Sequence, residues 1–318
     1  MDNPIALICG ISGQDGSYLA HFLLSKGYVV FGTSRDAQGS SFNNLMKLGI
    51  KNQVHYLSMM PEDFRSVLVA LRKSCPDEVY YLAGQSSVGL SFEQPAETIQ
   101  SITMGTLNML EACRMLEKKP RLYHSSSGEC FGDTGGKPAT ELTPFNPMSP
   151  YAVAKSSAYW LVNNYRDAYG LFACSGILFN HESPFRPERF VTQKVVQFVK
   201  RIVTGSNDQL NLGRLNISRD WGWAPEYVQA MWLMLQQATP EDFIISTGTC
   251  ITLEDFVRVA FEHVGLNWRN HVIQDEGLFR PTDASISFGD PQKAEQLLGW
   301  KAQIKGEDIV RKMIDSNF

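Results

Sequence analysis

The stretch Ile5-Ala6-Leu7-Ile8-Cys9-Gly10-Ile11-Ser12-Gly13-Gln14-Asp15-Gly16-Ser17 decides how the rest of the chain is read. A short apolar run rich in strand formers gives way to three evenly spaced glycines, and a helical pattern follows. The spacing G-x-x-G-x-x-G alone has little specificity. Between a strand and a helix, each glycine has a physical use: Gly10 for the tight turn, Gly13 for approach of a pyrophosphate to the backbone, Gly16 for close helix–sheet packing. Gln14 and Asp15 lie in the same turn, where the helix N-terminus faces an anion.

The alternation continues outward from this unit. Residues 17–25 read as a helix, 28–33 as a second strand, and 78–82 and 121–125 as further strands, with an amphipathic stretch over 103–116 between the last two. Strands alternating with helices predict an α/β fold, a Rossmann-like doubly wound parallel sheet covered on both faces. Past residue 180, Pro184, Pro187, Gly205 and Gly213 break the rhythm, and helices follow over 226–237 and 253–264. A smaller, mixed α/β lobe is expected there. The expected division is 1–179 with 219–248 for a dinucleotide, and 180–218 with 249–318 for a substrate.

The chain has 318 residues, of which 43% are hydrophobic and 19% charged, enough apolar material for one large core with a satellite lobe. A net charge of -4 gives no electrostatic reason to expect nucleic acid or anionic lipid as partners. The six cysteines form no C-x-x-C pair and have no histidine at metal-ligand spacing, so buried reduced thiols and no metal are expected. The N-terminus lacks a basic, apolar leader, and no apolar run reaches membrane-spanning length. A cytoplasmic protein is the expectation.

The end of the second strand bears on the dinucleotide. An acidic residue there would suit the ribose hydroxyls of NAD, whereas Ser34 and Arg35 suit a 2′-phosphate and point to NADP. Asp36 follows, free to pair with Arg35 or to accept from a ribose. Further along, Tyr151-Ala152-Val153-Ala154-Lys155 puts Tyr151 and Lys155 one turn apart on one helix face, just after Pro150. A phenol titrating near 10 is a poor base, and a nearby ammonium would favour its phenolate. Ser125-Ser126-Ser127, at the end of a strand, supplies hydroxyls for the same substrate oxygen.

These features together resemble the extended short-chain dehydrogenase/reductase superfamily. Within it the chain is similar to the GDP-mannose 4,6-dehydratases along nearly its whole length. The runs that carry the likeness are Gly13-Gln14-Asp15-Gly16-Ser17-Tyr18-Leu19, Ser91-Phe92-Glu93, Ser149-Pro150-Tyr151-Ala152-Val153-Ala154-Lys155 and, most specifically, Asn180-His181-Glu182-Ser183-Pro184. Arg219-Asp220-Trp221-Gly222, the run 230–235 and Arg280-Pro281-Thr282 continue it. The resemblance implies that Ser127, Glu129, Tyr151 and Lys155 are catalytic, with Glu129 the acid/base carboxylate of a dehydration. It also implies that Leu82, Gln85, Ser86, His181 and Arg186 join Gly10, Gly13, Gln14, Asp15, Gly16, Ser34 and Arg35 around NADP, and that Tyr151 and Lys155 contact the cofactor as well. Ser87, Asn180, Lys194, Arg219 and Arg280 are implied for the nucleotide sugar. A carboxylate that alternates between base and acid is expected to be partly desolvated. Ser41-Phe42-Asn43 resembles part of the loop through which such enzymes pair, implying a homodimer or homotetramer.

The chain departs from the family pattern at several points. Ser58 stands where an adenine-binding Asp is expected, Gly128 where the catalytic segment carries Ser or Asp, and Phe185 and Asp36 where arginines are expected. Trp223, Pro225 and Glu226 replace a more polar run, and Asp283 is one methylene shorter than a Glu expected to read guanine. Three readings stand at this point. A lyase removing water from a GDP-sugar needs its cofactor only catalytically. A keto-sugar reductase or an epimerase on the same scaffold is the second, and a non-catalytic NADP-binding paralogue the third.

Overall fold

The structure is a computed structural model and describes residues 3–316. The first half builds a strand-and-helix ladder: β1 (Ile5–Cys9), α1 (Gln14–Ser25), β2 (Val29–Ser34), α2 (Asn43–Lys47), β3 (His55–Ser58) and α3 (Phe64–Ser74). It continues through β4 (Glu78–Tyr81), α4 (Val88–Glu93), α5 (Pro95–Ile99), α6 (Gly105–Arg114), β5 (Arg121–Ser127), α7 (Pro150–Tyr169) and β6 (Ala173–Leu178). The second half comprises β7 (Asn180–Glu182), α8 (Val191–Val203), β8 (Leu210–Leu212), β9 (Ser218–Trp223), α9 (Ala224–Leu235), β10 (Phe243–Ile245) and β11 (Cys250–Thr252). The chain ends with α10 (Leu253–Glu262), β12 (Val272–Gln274), β13 (Ile286–Ser287), α11 (Gln292–Leu298) and α12 (Glu307–Asp315).

Seven strands form the main sheet in the order β10-β6-β5-β4-β1-β2-β3, and every pairing in it is parallel. This is the expected doubly wound sheet. Its strand order reverses between β1 and β4, and a crevice at the carboxyl ends of strands is a ligand site in such sheets. Both faces are covered. Leu19, Leu23, Met231 and Met234 from α1 and α9 fill one side, and Val67, Leu71, Met109 and Val162 from α3, α6 and α7 fill the other. A second sheet joins β11, β9 and β13, with β7 paired to β9. Its helices α8, α10 and α12 enclose a separate core around Phe198, Trp221, Phe256 and Met313.

Local chemistry accounts for the element ends. Ser149 caps α7 by accepting from the Ala152 N–H at 3.1 Å, Pro150 opens the helix, and Gly170 closes it with φ of 64°. Strand β5 runs two residues further than its apolar pattern predicts, because the serines at its end remain paired with β6. The amphipathic stretch before it begins earlier, as α5 and a π turn over Gln100–Met104 feed directly into α6. Cys9, Cys113, Cys130 and Cys174 are buried and free as expected, whereas Cys75 is exposed. Among the described residues no helix is long and apolar enough to cross a membrane.

Candidate functional site

The glycine loop meets its steric requirement. A Cβ at Gly16 would lie 2.4 Å from the Gly10 carbonyl oxygen, and Gly10 itself has φ of 86° and faces Leu82 and Ala83 across the reversal point. The first turn of α1 has no side-chain cap, so its N–H groups remain open to an anion. Such a cradle suits a pyrophosphate.

Around it the β2–α2 loop is ordered by its own side chains. The Asp36 carboxylate accepts from the Gln38 and Gly39 N–H groups at 3.0 and 2.9 Å, and Gly39 leaves no room for a Cβ beside it. Asp36 therefore braces the loop, and Arg35 beside it is exposed. Ser34 meets Ser40 at 2.8 Å. Ser58 has a related use: its hydroxyl accepts from the Ala37 N–H at 3.0 Å, tying β3 to the same loop. Phe42, in the left-handed region at φ 51°, is buried against Tyr56 with ring centroids 4.1 Å apart, so this part of the expected pairing loop packs within its own chain.

The segment after β4 curls back on itself. Leu82 donates its N–H to Cys9 O at 3.1 Å, and the Gln85 amide donates to Ser87 O at 2.8 Å and Thr98 Oγ1 at 3.2 Å. Ser87 caps α4 and Ser86 is exposed. The Gln85 side chain is thus engaged in holding the loop.

At the end of β5, Ser127 begins a short 3₁₀ turn, its hydroxyl accepting from the Glu129 N–H at 3.2 Å. The same hydroxyl lies close enough to the buried phenol of Tyr151 to act on its acidity. Glu129 is half-buried at the same turn. Burial pushes the Tyr151 phenol well above its ordinary range, with the nearby Ser127 hydroxyl and the Arg186 charge pulling the other way. Lys155 is also buried, and its Nζ lies 5.9 Å from the centre of the Tyr151 ring while donating to Ser125 O at 2.6 Å. Burial lowers its ammonium to about 8. The ammonium is near the phenol, as the spacing predicts, but its direct bond is to the strand.

Gly128 explains itself in space. A Cβ there would stand 2.9 Å from two atoms of the Phe179 ring, so the 127–129 backbone rests directly on an aromatic face. Phe179 and Cys130, which is buried within 3.9 Å of Ser126 Oγ, are site neighbours that motif reading missed. Gly128 itself was the available signal.

Across from these, His181 in β7 pairs with Asp15 at 2.9 Å, and Arg186 lies 3.3 Å from the buried Glu182 with its guanidinium 3.7 Å from the Phe190 ring centre. Phe185, in place of an arginine, stacks on Tyr18 at 4.8 Å. The second sheet and the segment leading to β13 bring their own cations. Buried Arg219 pairs with Asp283 at 2.7 Å, and Arg280 approaches the same carboxylate at 3.5 Å. Asp283 is therefore occupied in ordering two arginines. Lys194 donates to Asn211 O at 2.8 Å beside an open cleft of about 420 Å³ that Arg201 and Asp208 also line. Asn180 is half-buried at the start of β7. Links such as Thr134 N–H to Ile286 O at 2.9 Å fasten the second lobe over the 3₁₀ turn.

Comparison with known proteins agrees with this arrangement. The chain is 45% identical to GDP-mannose 4,6 dehydratase 1 of Arabidopsis thaliana, over 98% of this chain and 89% of that one. It is 41% identical to GDP-mannose 4,6-dehydratase of Sinorhizobium fredii, over 98% and 96%. Among solved structures, UDP-glucose 4-epimerase of Thermus thermophilus in complex with NAD superposes with a TM-score of 0.86 at 25% identity, covering 98% of each chain. RMD from Pseudomonas aeruginosa complexed with NADPH does so with a TM-score of 0.80 at 21% identity, covering 99% and 98%, which speaks to the fold alone. The family described as GDP-mannose 4,6 dehydratase matches residues 7–313, and with it the chain belongs to the GDP-mannose 4,6-dehydratase family.

Proposed function

We propose that the protein is a lyase that dehydrates GDP-mannose to GDP-4-keto-6-deoxymannose, with a nicotinamide dinucleotide, NADP, held at the glycine loop. The observation that carries this reading is the position of the half-buried Glu129, whose N–H donates to the Ser127 hydroxyl beside the buried Tyr151 phenol. A reductase or epimerase needs the phenol and a hydroxyl. A dehydratase also needs a carboxylate beside them.

The open N–H groups of α1 with Gly10, Gly13 and Gly16 would hold the pyrophosphate, and Ser34 and Arg35 the 2′-phosphate. Gln14, Leu82, Gln85 and Ser86 border the same crevice. When bound, the nicotinamide would supply the hydride acceptor for the sugar C4 and the hydride donor for C6, so that the cofactor would not be consumed. Tyr151 takes the C4 hydroxyl proton, with Ser127 orienting that oxygen. The neutral phenol of the unliganded site must be brought toward its phenolate, and the cations Lys155 and Arg186 favour this. Glu129 then removes the C5 proton, made acidic by the adjacent ketone, and gives it to the C6 hydroxyl, which leaves as water; once C6 has regained hydride, C5 takes the proton held by Tyr151, so that both side chains end as they began. Arg219, Arg280 and Lys194 hold the diphosphate, and Ser87 and Asn180 border the sugar. The two arginines already share Asp283, so they arrive preorganised.

Pairing of subunits is supported by the apolar side chains Ile99, Met104, Val153 and Trp160 left exposed on the stretch from α5 to α7, Trp160 at 62%. A homodimer or homotetramer would cover them. The test of function is incubation with GDP-mannose and a catalytic amount of NADP⁺, followed by mass spectrometry. A product lighter by one water is expected. Stoichiometric consumption of NADPH, or an unchanged substrate mass, would overturn the dehydratase reading.

A further inference from the structure

His181 is buried in β7, and both of its ring nitrogens face acceptors. Nδ1 lies 2.8 Å from Phe179 O, and Nε2 lies 2.9 Å from Asp15 Oδ2. A neutral imidazole carries one N–H and can satisfy only one of them. An imidazolium satisfies both. The ring also stacks on Tyr227, centroids 4.6 Å apart and 24° from parallel, a surface that favours a cation. Asp15 stands in the first turn of α1, where the helix dipole favours the ionised carboxylate.

The next residues reinforce the pair. Gln14 Nε2 donates to His181 O at 3.1 Å, and Ser183 Oγ donates to Gln14 Oε1 at 2.8 Å. The turn that carries Gly13 and Gly16 is thereby bound to a strand that pairs with β9 of the second sheet. We propose that Asp15 and His181 form an ionic latch that holds the glycine loop against the second lobe, so that dinucleotide affinity follows the protonation of His181. This rests on the cofactor reading above and changes the part played by these two residues: they position the loop.

Charged and titratable groups face the pair from each packed element. Arg186, following β7, opposes a proton on His181, while Glu182 of β7 favours one but is itself driven toward its neutral form by burial. Lys155 of α7 interacts with Asp15, as does Tyr123 of β5, and Tyr227 of α9 contributes a ring with a strongly suppressed phenol acidity. Burial alone would lower His181, but the Asp15 charge and hydrogen bond outweigh it and hold the imidazolium above its ordinary range. For Asp15, burial acts upward and the His181 pair outweighs it, holding the carboxyl below its ordinary range. The latch is accordingly complete between those two limits. It is lost as pH rises through the raised His181 value, and again as pH falls through the depressed Asp15 value.

The test uses the full chain labelled with ¹⁵N at its six histidines. The ring signals are titrated by NMR without cofactor, and His181→Gln assigns the resonance. In parallel, NADP⁺ affinity is measured calorimetrically from about pH 6 to about pH 9.5 for the native chain and Asp15→Asn. The latch requires His181 to titrate above about 6.5 in the native chain and lower in Asp15→Asn. Native affinity should then weaken by about three- to tenfold across His181's own transition, within the limit for one linked proton, and stay flat in Asp15→Asn. A His181 signal that is a neutral tautomer at pH 6.5, or the same pH dependence in both proteins, would overturn it. Failure of the native chain to bind NADP⁺ or NAD⁺ at any pH would refute the cofactor reading instead, while the His181 titration still decides the ion pair.

Discussion

Replacing Gly128 by alanine tests the placement of the catalytic segment most directly. Gly128 does not have positive φ, so alanine meets no backbone penalty and the effect is steric. Its Cβ would stand 2.9 Å from Cδ1 and Cε1 of Phe179, when ordinary contact begins at about 3.4 Å. The ring is buried in a cluster with Phe131, Tyr159 and Ile244, which resists its retreat. Its opposite edge faces Gly289, where a Cβ would lie only 2.5 Å away, and Ile244 stands beside it. The adjustment of about half an ångström therefore falls on the 127–129 backbone, or as overpacking costing about 1–3 kcal/mol. The Tm should fall by about 2–6 °C. Since an error of about 1 Å at reacting groups can cost about 10²-fold, turnover of GDP-mannose should fall by about ten- to a hundredfold. Thermal unfolding and mass-spectrometric turnover would be measured for Gly128→Ala, Phe179→Leu and the double variant. Trimming the ring should restore part of what Gly128→Ala loses. A Gly128→Ala protein with native Tm and turnover, or effects that simply add in the double variant, would refute the reasoning.

Four further outcomes follow from the site. Glu129→Gln should lower dehydration by about 10²- to 10⁴-fold while NADP⁺ affinity, read by calorimetry, stays near native; unchanged turnover would remove Glu129 from the mechanism. Arg35→Ala should weaken NADP⁺ far more than NAD⁺, by about tenfold or more, and equal losses would count against the 2′-phosphate assignment. Lys155 titrates at about 8 because burial disfavours its ammonium, so kcat/KM should decline as pH rises through that value. The same depressed value means that folding stability gains as pH rises between about 8 and the ordinary lysine value of about 10.4, where the unfolded chain still binds the proton. Lys155→Arg, which keeps its charge there, should remove the alkaline decline. Finally, the Asp220 carboxylate accepts from Thr247 N, Thr247 Oγ1 and Gly248 N at 3.0, 2.7 and 2.9 Å. Asp220→Asn would turn an NH₂ toward those donors and should cost about 1–3 kcal/mol in chemical denaturation.

Much of the fold was legible because its signals are local. Gly10, Gly13 and Gly16 stand where backbone must approach backbone, Ser149 and Pro150 open α7, and Gly170 ends it. The spacing of Tyr151 and Lys155 fixed their common helix face before any packing was known. The strand period was also visible, although the ends of β5 and α6 were not, since those depend on the neighbours each element finds.

Other features depended on contacts between distant parts of the chain. Asp36 could have paired with Arg35 or waited for a ribose; the loop's own N–H groups claimed it because they lie closer and are fixed. Asp283 carries no sequence mark of its pairing with Arg219, which β9 brings to it. Sequence by itself determined the doubly wound sheet, the glycine turn and the common helix face of Tyr151 and Lys155, since propensity, periodicity and sterics act over a few residues. Only the tertiary structure decided that Asp15 meets His181, that Phe179 seats Gly128 and that Lys155 bonds to the strand. Those pairings follow from burial, which removes water as a competitor and obliges each polar group to find its partner wherever the chain has placed one.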